Sequence, residues 1–182
     1  MPSNARQELA TRLKDVDELI AAHAALTGGG RGRPAQRQGA AITRAGTVLL
    51  SAATEAFVED LFEEAARSIF AATTAADLDQ LFRNTSKRLN NADVYKTELL
   101  FFNLGLAWVL RGLSWRKFPN ETLRSELNKL VQTRGSIAHG RPENVKLQML
   151  RRWKNMIEML APKLEEKIAN HIAQVTGQRP NW

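Results

Sequence analysis

Cysteine is absent from the 182 residues, which excludes disulfides, thiolate zinc sites and cysteine nucleophiles. A chain without thiols fits the cytoplasm. Long apolar runs are missing as well. The most hydrophobic stretch, Leu99 to Leu110, is roughly a dozen residues long and is interrupted by Asn103 and Gly105, well short of the ~20 that cross a bilayer. The opening segment Met1-Pro2-Ser3-Asn4-Ala5-Arg6-Gln7 lacks the apolar core of a secretory signal. No membrane association and a cytoplasmic location are therefore expected. Familiar catalytic signatures are also lacking: no glycine-rich phosphate loop followed by Lys-Ser/Thr, no His-Glu-x-x-His and no Ser/His/Asp elbow. There is no alternating strand pattern and no internal repeat.

What is present is a one-domain length with an ordinary globular composition, 43% hydrophobic and 25% charged, enough to bury a core without staples. The net charge of +7 favours a polyanionic partner. The excess is clustered. Arg31, Arg33, Arg37 and Arg44 lie in or just after a Gly/Arg-rich stretch, Arg111, Arg116 and Lys117 bracket Trp115, and Arg151, Arg152 and Lys154 bracket Trp153. Such clusters suit salt-dependent contacts to phosphates.

Helical periodicity runs through nearly the whole chain. An N-terminal helix occupies residues 1–27, a Gly/Arg-rich hinge 28–35, a helical domain 36–176 and a short tail 177–182. The hinge leaves the first helix free to dock elsewhere or move. Within the main domain a long helix is expected from about Ala35 to Phe70, with Ala41, Ala45, Val48, Leu49, Ala52, Ala53 and Ala56 forming a small-residue packing face. Further helices are expected over about Ala75–Leu89 and Lys96–Leu113. A motif helix follows, opened by Pro119 with Asn120 as N-cap. A last helix runs from about Glu143 and is kinked at Pro162.

Arg134 and His139 stand out on the motif helix. Leu123, Leu127, Leu130 and Ile137 draw one apolar stripe, and Arg134 takes the place on it where another Leu or Ile is expected. A guanidinium there needs a partner or a function, because an isolated buried charge is costly. Gly140 and Pro142 stop the helix just after His139, which puts the imidazole in a frayed last turn. Five helical positions amount to about 140° of rotation and roughly 7.5 Å of rise, so the two side chains are not neighbours on one edge. Either the turn unwinds at Gly135, Ser136 and Gly140, or each residue faces one groove from a different copy of the helix. The second arrangement requires a dimer.

Arg-x4-His at the end of a late helix, followed by Gly140, resembles the Arg-x4–6-His signature of HEPN domains. The segment Ile42 to Phe62 is similar to the early long helix of the RiboL-PSP-HEPN branch, in which an Arg opens an apolar run that reaches a Glu followed by an aromatic. The likeness covers residues 36–176. One position departs from it: many active members carry Asn, Asp or His directly after the Arg, and here that residue is Gly135. The resemblance implies an all-α, HEPN-like helical bundle of long antiparallel helices, homodimeric. It also implies a metal-independent endoribonuclease that cleaves single-stranded RNA by 2′-hydroxyl attack, leaving cyclic-phosphate ends. A role in bacterial defence or as a toxin, with an antitoxin or regulatory protein as partner, comes with it. No metal and no cofactor is implied.

On this reading His139 is the general base or acid, and Arg134 is a bidentate cation for the charge that builds on phosphorus-bound oxygens. Glu55, near the apolar face of the early helix, pairs with Arg134 and holds its rotamer. Arg44 offers a phosphate contact. Ser136 either binds phosphate or back-bonds to its own helix. Arg31, Arg33, Arg37 and Arg141 are the expected RNA-binding residues, and His23 and His171 are expected on the surface. Two other readings remain open: a non-catalytic HEPN module that binds RNA or a partner protein, and a plain helical dimerisation domain with an incidentally basic surface.

Overall fold

Ser3 opens the first helix, its hydroxyl oxygen accepting the Arg6 N–H at 3.1 Å. A side-chain cap of this kind is worth about 1 kcal/mol. In a computed structural model of the protein, which describes residues 1–28, 38–116 and 118–182, six α-helices form the chain and no strand is present among the described residues. They are α1 (Asn4–Leu26), α2 (Ala40–Ile69), α3 (Ala75–Asn84), α4 (Val94–Phe102), α5 (Asn120–Ala138) and α6 (Leu147–Thr176), with a short 3-10 turn at Ser86–Arg88.

Three long helices make the frame. α1 runs antiparallel to α2: Asn4 and Ala5 donate their N–H groups to Glu64, Arg12 pairs with Asp60, and His23 meets Gly39 at the other end. It also runs antiparallel to α6, through Arg6 to Glu165 and Asp17 to Lys154. The first helix is thus built into the shared core through Ala5, Leu9, Leu13 and Val16, rather than free to dock elsewhere. Burial pushes the Glu64 carboxyl above its usual range, although the two N–H groups it accepts pull it back down.

The early long helix buries a different face from the one its alanines suggest. In its first half the core positions are Thr43, Gly46, Thr47, Leu50, Ser51, Ala53 and Thr54; of the expected packing face Ala53 is buried and Val48 and Ala56 are half-buried, whereas Ala41, Ala45, Leu49 and Ala52 are exposed. Threonine is tolerated inside because its hydroxyl finds a backbone partner: Thr47 donates to Thr43 O and Thr54 to Leu50 O, each at 2.8 Å. Gly46 lets α6 approach closely, since a Cβ there would lie 2.6 Å from a Leu150 methyl. Farther along, Phe57, Leu61 and Phe62 carry the core, with Phe62 edge-on to Phe82 and Phe101.

The apolar run that reads as one helix to Leu113 stops at Phe102 instead. Asn103 turns its amide back onto Leu99 O and Leu100 O, and Gly105 enters the left-handed region at φ 77°. The bonds from Leu106 N–H to Phe101 O and from Gly105 N–H to Phe102 O close a Schellman motif. From there to Leu113 the chain is a series of turns anchored by α6, with His171 Nε2 2.7 Å from Leu104 O and Lys167 donating to the carbonyls of Trp108 and Arg111. The Asn120 amide donates to Leu110 O and Leu113 O, so it ties down this loop, while Pro119 holds the N-cap position of α5. The third helix also ends early, at Asn84, and α6 begins at Leu147 and continues unbroken through Pro162.

Of the two histidines expected on the surface, one is buried and the other is half-buried. His23 is buried against Gly39, where a Cβ would come within 2.1 Å of its Nε2. His171 is half-buried and engaged with Leu104. No helix is long and apolar enough to cross a membrane among the described residues.

Candidate active site

The end of α5 is held firmly. Gly140 adopts φ 71° and donates to Ile137 O at 3.0 Å, while Arg141 N–H reaches Ser136 O at 2.9 Å. These two bonds form a complete Schellman closure with His139 at the C-cap. The last turn is therefore ordered by its own hydrogen bonds and not frayed. It does not unwind either, since α5 stays helical through Ala138. Arg134 and His139 keep the about 140° separation of an intact helix.

That geometry sends the two side chains different ways. Arg134 is half-buried and its charge acts on Glu55 of α2, but the expected pairing is not formed: no hydrogen bond or ion pair joins the two side chains. His139 is exposed, as is Arg141 in the loop beyond it. Ser136 is half-buried, and its carbonyl oxygen serves the cap. Burial raises the Glu55 carboxyl above its usual range, against the lowering pull of two cations, Arg134 and Lys96. One turn on, Glu59 is pushed up to about 7 by burial, by Glu55 and by its acidic neighbours Asp60 and Glu63, with Lys87 opposing. An adjacent pair of carboxyls in partial burial resists double ionisation, so a cation beside Glu55 is electrostatically favoured.

The remaining expected residues are placed as follows. Arg44 is half-buried near the start of α2, eleven residues or about 16 Å of helix rise before Glu55, so it does not join Glu55 and Arg134. Arg31, Arg33 and Arg37 lie outside the described residues, as does Lys117. The basic cluster around Trp153 is mostly committed to structure. The Trp153 indole is buried and donates to Glu126 at 2.7 Å. Arg152 pairs with the same carboxylate and lies over the Phe118 ring, and Lys154 is buried between Asp17 and Glu158. Arg111 and Arg116 are exposed.

Lys96 and Glu59 are the site residues that sequence reasoning passed over. Lys96 has no signal in its own segment, because only the packing of α4 against α2 brings it near Glu55. Glu59 had one: it follows Glu55 by a single turn on the face that also carries Ala41, Ala45, Leu49 and Ala52. That face is unburied along its first half, so a stripe with the composition of a packing surface leads directly to the two carboxyls.

The described residues hold no group of three or more His, Asp or Glu side chains arranged to bind a metal ion. Compared with protein families, the chain is matched over residues 7–170 by the family model described as RiboL-PSP-HEPN. The matched span includes most of α1, as well as Glu55, Arg134 and His139. Comparison with curated proteins and with solved structures gives no match.

Proposed function

Because the chain belongs to the RiboL-PSP-HEPN family, whose HEPN domains are generally ribonucleases or nucleotide-binding modules, we propose that it is a homodimeric, metal-independent endoribonuclease acting on single-stranded RNA. The observation that carries this reading is the division of labour on α5: Arg134 is half-buried, close enough for its charge to act on Glu55, while His139 stands exposed at a capped helix end.

The chemistry follows from that arrangement. A His139 imidazole takes the proton from a ribose 2′-hydroxyl, whose oxygen attacks the adjacent phosphorus. The bond to the 5′-oxygen breaks, and that oxygen receives a proton from the partner subunit's His139. The products are a 2′,3′-cyclic phosphate and a free 5′-hydroxyl. Arg134 stabilises charge on the non-bridging oxygens, with Glu55 as a positioning residue that holds its guanidinium. Since one intact helix keeps Arg134 and His139 about 140° apart, two copies are needed to bring both chemistries to one phosphate. The exposed face of Ala41, Ala45, Leu49 and Ala52 supports such a pairing, because small apolar side chains let a second helix approach closely.

The test is incubation of the purified protein with labelled single-stranded RNA in EDTA, beside Arg134→Ala and His139→Ala. Cyclic-phosphate fragments from wild type, and none from either variant at unchanged melting temperature, are expected. Intact RNA that is nonetheless retarded by wild-type protein would make the chain a binding module, the reading that Gly135 at the position after the motif Arg favours.

A further inference from the structure

Tyr95 and Trp108 are among the most exposed large hydrophobic side chains, at 73% and 58%. They line one groove of about 490 Å³ between α4 and α5, together with Glu98, Arg124, Asn128 and Gln132. Neither aromatic contributes to the buried core. Trp108 also has a backbone φ of 58°, the only positive value at a residue other than glycine among those described. An L side chain is crowded there, and glycine would suit the turn better. A large, exposed aromatic on a strained backbone is what a binding surface retains and what stability alone would not. The strained turn is firmly held, for Lys167 donates to Trp108 O at 3.1 Å and Arg111 N–H to the same oxygen at 2.9 Å.

The polar lining fits bases better than phosphates. The Glu98 carboxylate is engaged by both terminal nitrogens of Arg124, so its charge is neutralised inside the groove. Asn128 accepts the Val94 N–H at 3.0 Å, which fixes its amide in the wall, and Gln132 is exposed beside it. Amides and ring faces together offer hydrogen bonding and stacking, and the groove's other carboxylate, Asp93, is taken up in capping α4, where it accepts the Lys96 N–H at 2.8 Å.

The groove also points at the candidate active site. Asn128, Gln132 and His139 are separated by four and seven residues, so they fall within about 40° of one another on α5. Between Gln132 and His139 lies Gly135, where an added Cβ would meet nothing within 4 Å. The track from groove to imidazole is thus open over about 10 Å, two helical turns.

We propose that the groove between α4 and α5 stacks unpaired bases of single-stranded RNA on Tyr95 and Trp108, and that the strand then passes over Gly135 to present its phosphate to His139. The second half of this statement rests on the ribonuclease reading; base stacking in the groove does not.

The test uses the full chain and a short 2′-O-methyl oligoribonucleotide, which lacks the attacking hydroxyl and survives intact, next to the same oligonucleotide carrying abasic positions. Binding is read by fluorescence anisotropy for wild type, Tyr95→Ala, Trp108→Gly and the conservative Tyr95→Phe and Trp108→Phe. Glycine suits the left-handed turn, so Trp108→Gly is expected to fold, which melting checks. Each lost stack should weaken binding about tenfold. The phenylalanine variants should stay near wild type, and abasic positions should erase the difference between wild type and the truncations. Unchanged affinity in Tyr95→Ala and Trp108→Gly overturns the proposal, and if wild type still cleaves ribose RNA, the ribonuclease reading survives alone. Weaker binding that tracks dissociation of a dimer in sedimentation also overturns it, by making the aromatics a protein interface. Aromatic-dependent binding by a protein that leaves ribose RNA uncut keeps the groove and removes the ribonuclease.

Discussion

Single residues in this molecule are set mainly by their partial burial. Glu59 shows the consequence most directly. Its carboxyl stays protonated up to about pH 7 in the folded protein, because burial and the neighbouring Glu55, Asp60 and Glu63 disfavour its charge, while an unconstrained Glu titrates at 4.5. Between those two values the folded state holds a proton that the unfolded chain has lost. Stability from this group is therefore complete below the unfolded value and declines as pH rises to about 7. Glu59→Gln removes the titration. Its melting temperature should match wild type near pH 4 and exceed it above pH 7; parallel melting curves across that range would rule the assignment out. Sequence position gave notice of Glu59, one turn beyond Glu55, but not of its environment. His23 was less legible still. Its burial depends on Gly39, at the start of α2, lying beside it, and nothing local to Ala21, Ala22 and His23 encodes that.

Elements were legible where periodicity and punctuation agree. α1, α5 and α6 follow their apolar stripes, and their existence is plain from the chain. α4 is the instructive exception. Leu99 to Leu110 is apolar enough to continue a helix, yet Gly105 in the left-handed region closes it after two and a half turns, and the remaining apolar residues bury themselves from turns. Hydrophobicity alone does not separate a buried helix from a buried loop. The same closure at the end of α5 matters for chemistry. Gly140 at φ 71° lets the Schellman bonds form, and those bonds set the direction in which His139 leaves the helix. Gly140→Ala should cost about 1 kcal/mol of stability, since a Cβ is unfavourable in that region. Displacement of the imidazole should lower the rate of RNA cleavage by about tenfold or more without comparable loss of binding, because only the transition-state contact has moved. A parallel loss of binding and cleavage would place His139 in substrate binding rather than in proton transfer.

For the whole molecule, the informative mismatch is the alanine face of α2. Its composition reads as a core stripe, but the core lies on the threonine side, where Thr47 and Thr54 satisfy their hydroxyls against their own helix. An apolar stripe with no partner among the described residues has the character of an interface. It ends at Glu55, on which the Arg134 charge acts, so a second copy seated there would meet the site. Leu49 is 42% exposed and central to that face, which makes it the residue to charge. Leu49→Arg should leave the helical fold of each copy intact, because the side chain already reaches solvent in a single copy, and should lower the melting temperature only by what the partner contributed. In sedimentation the variant should run as a monomer where wild type runs as a dimer. Cleavage should disappear with the dimer, since Arg134 and His139 of one helix diverge, whereas binding of a non-cleavable oligonucleotide should persist in weakened form through the groove on each copy. A monomeric Leu49→Arg protein that cleaves RNA at the wild-type rate would refute the composite site and require Arg134 and His139 of a single chain to act together.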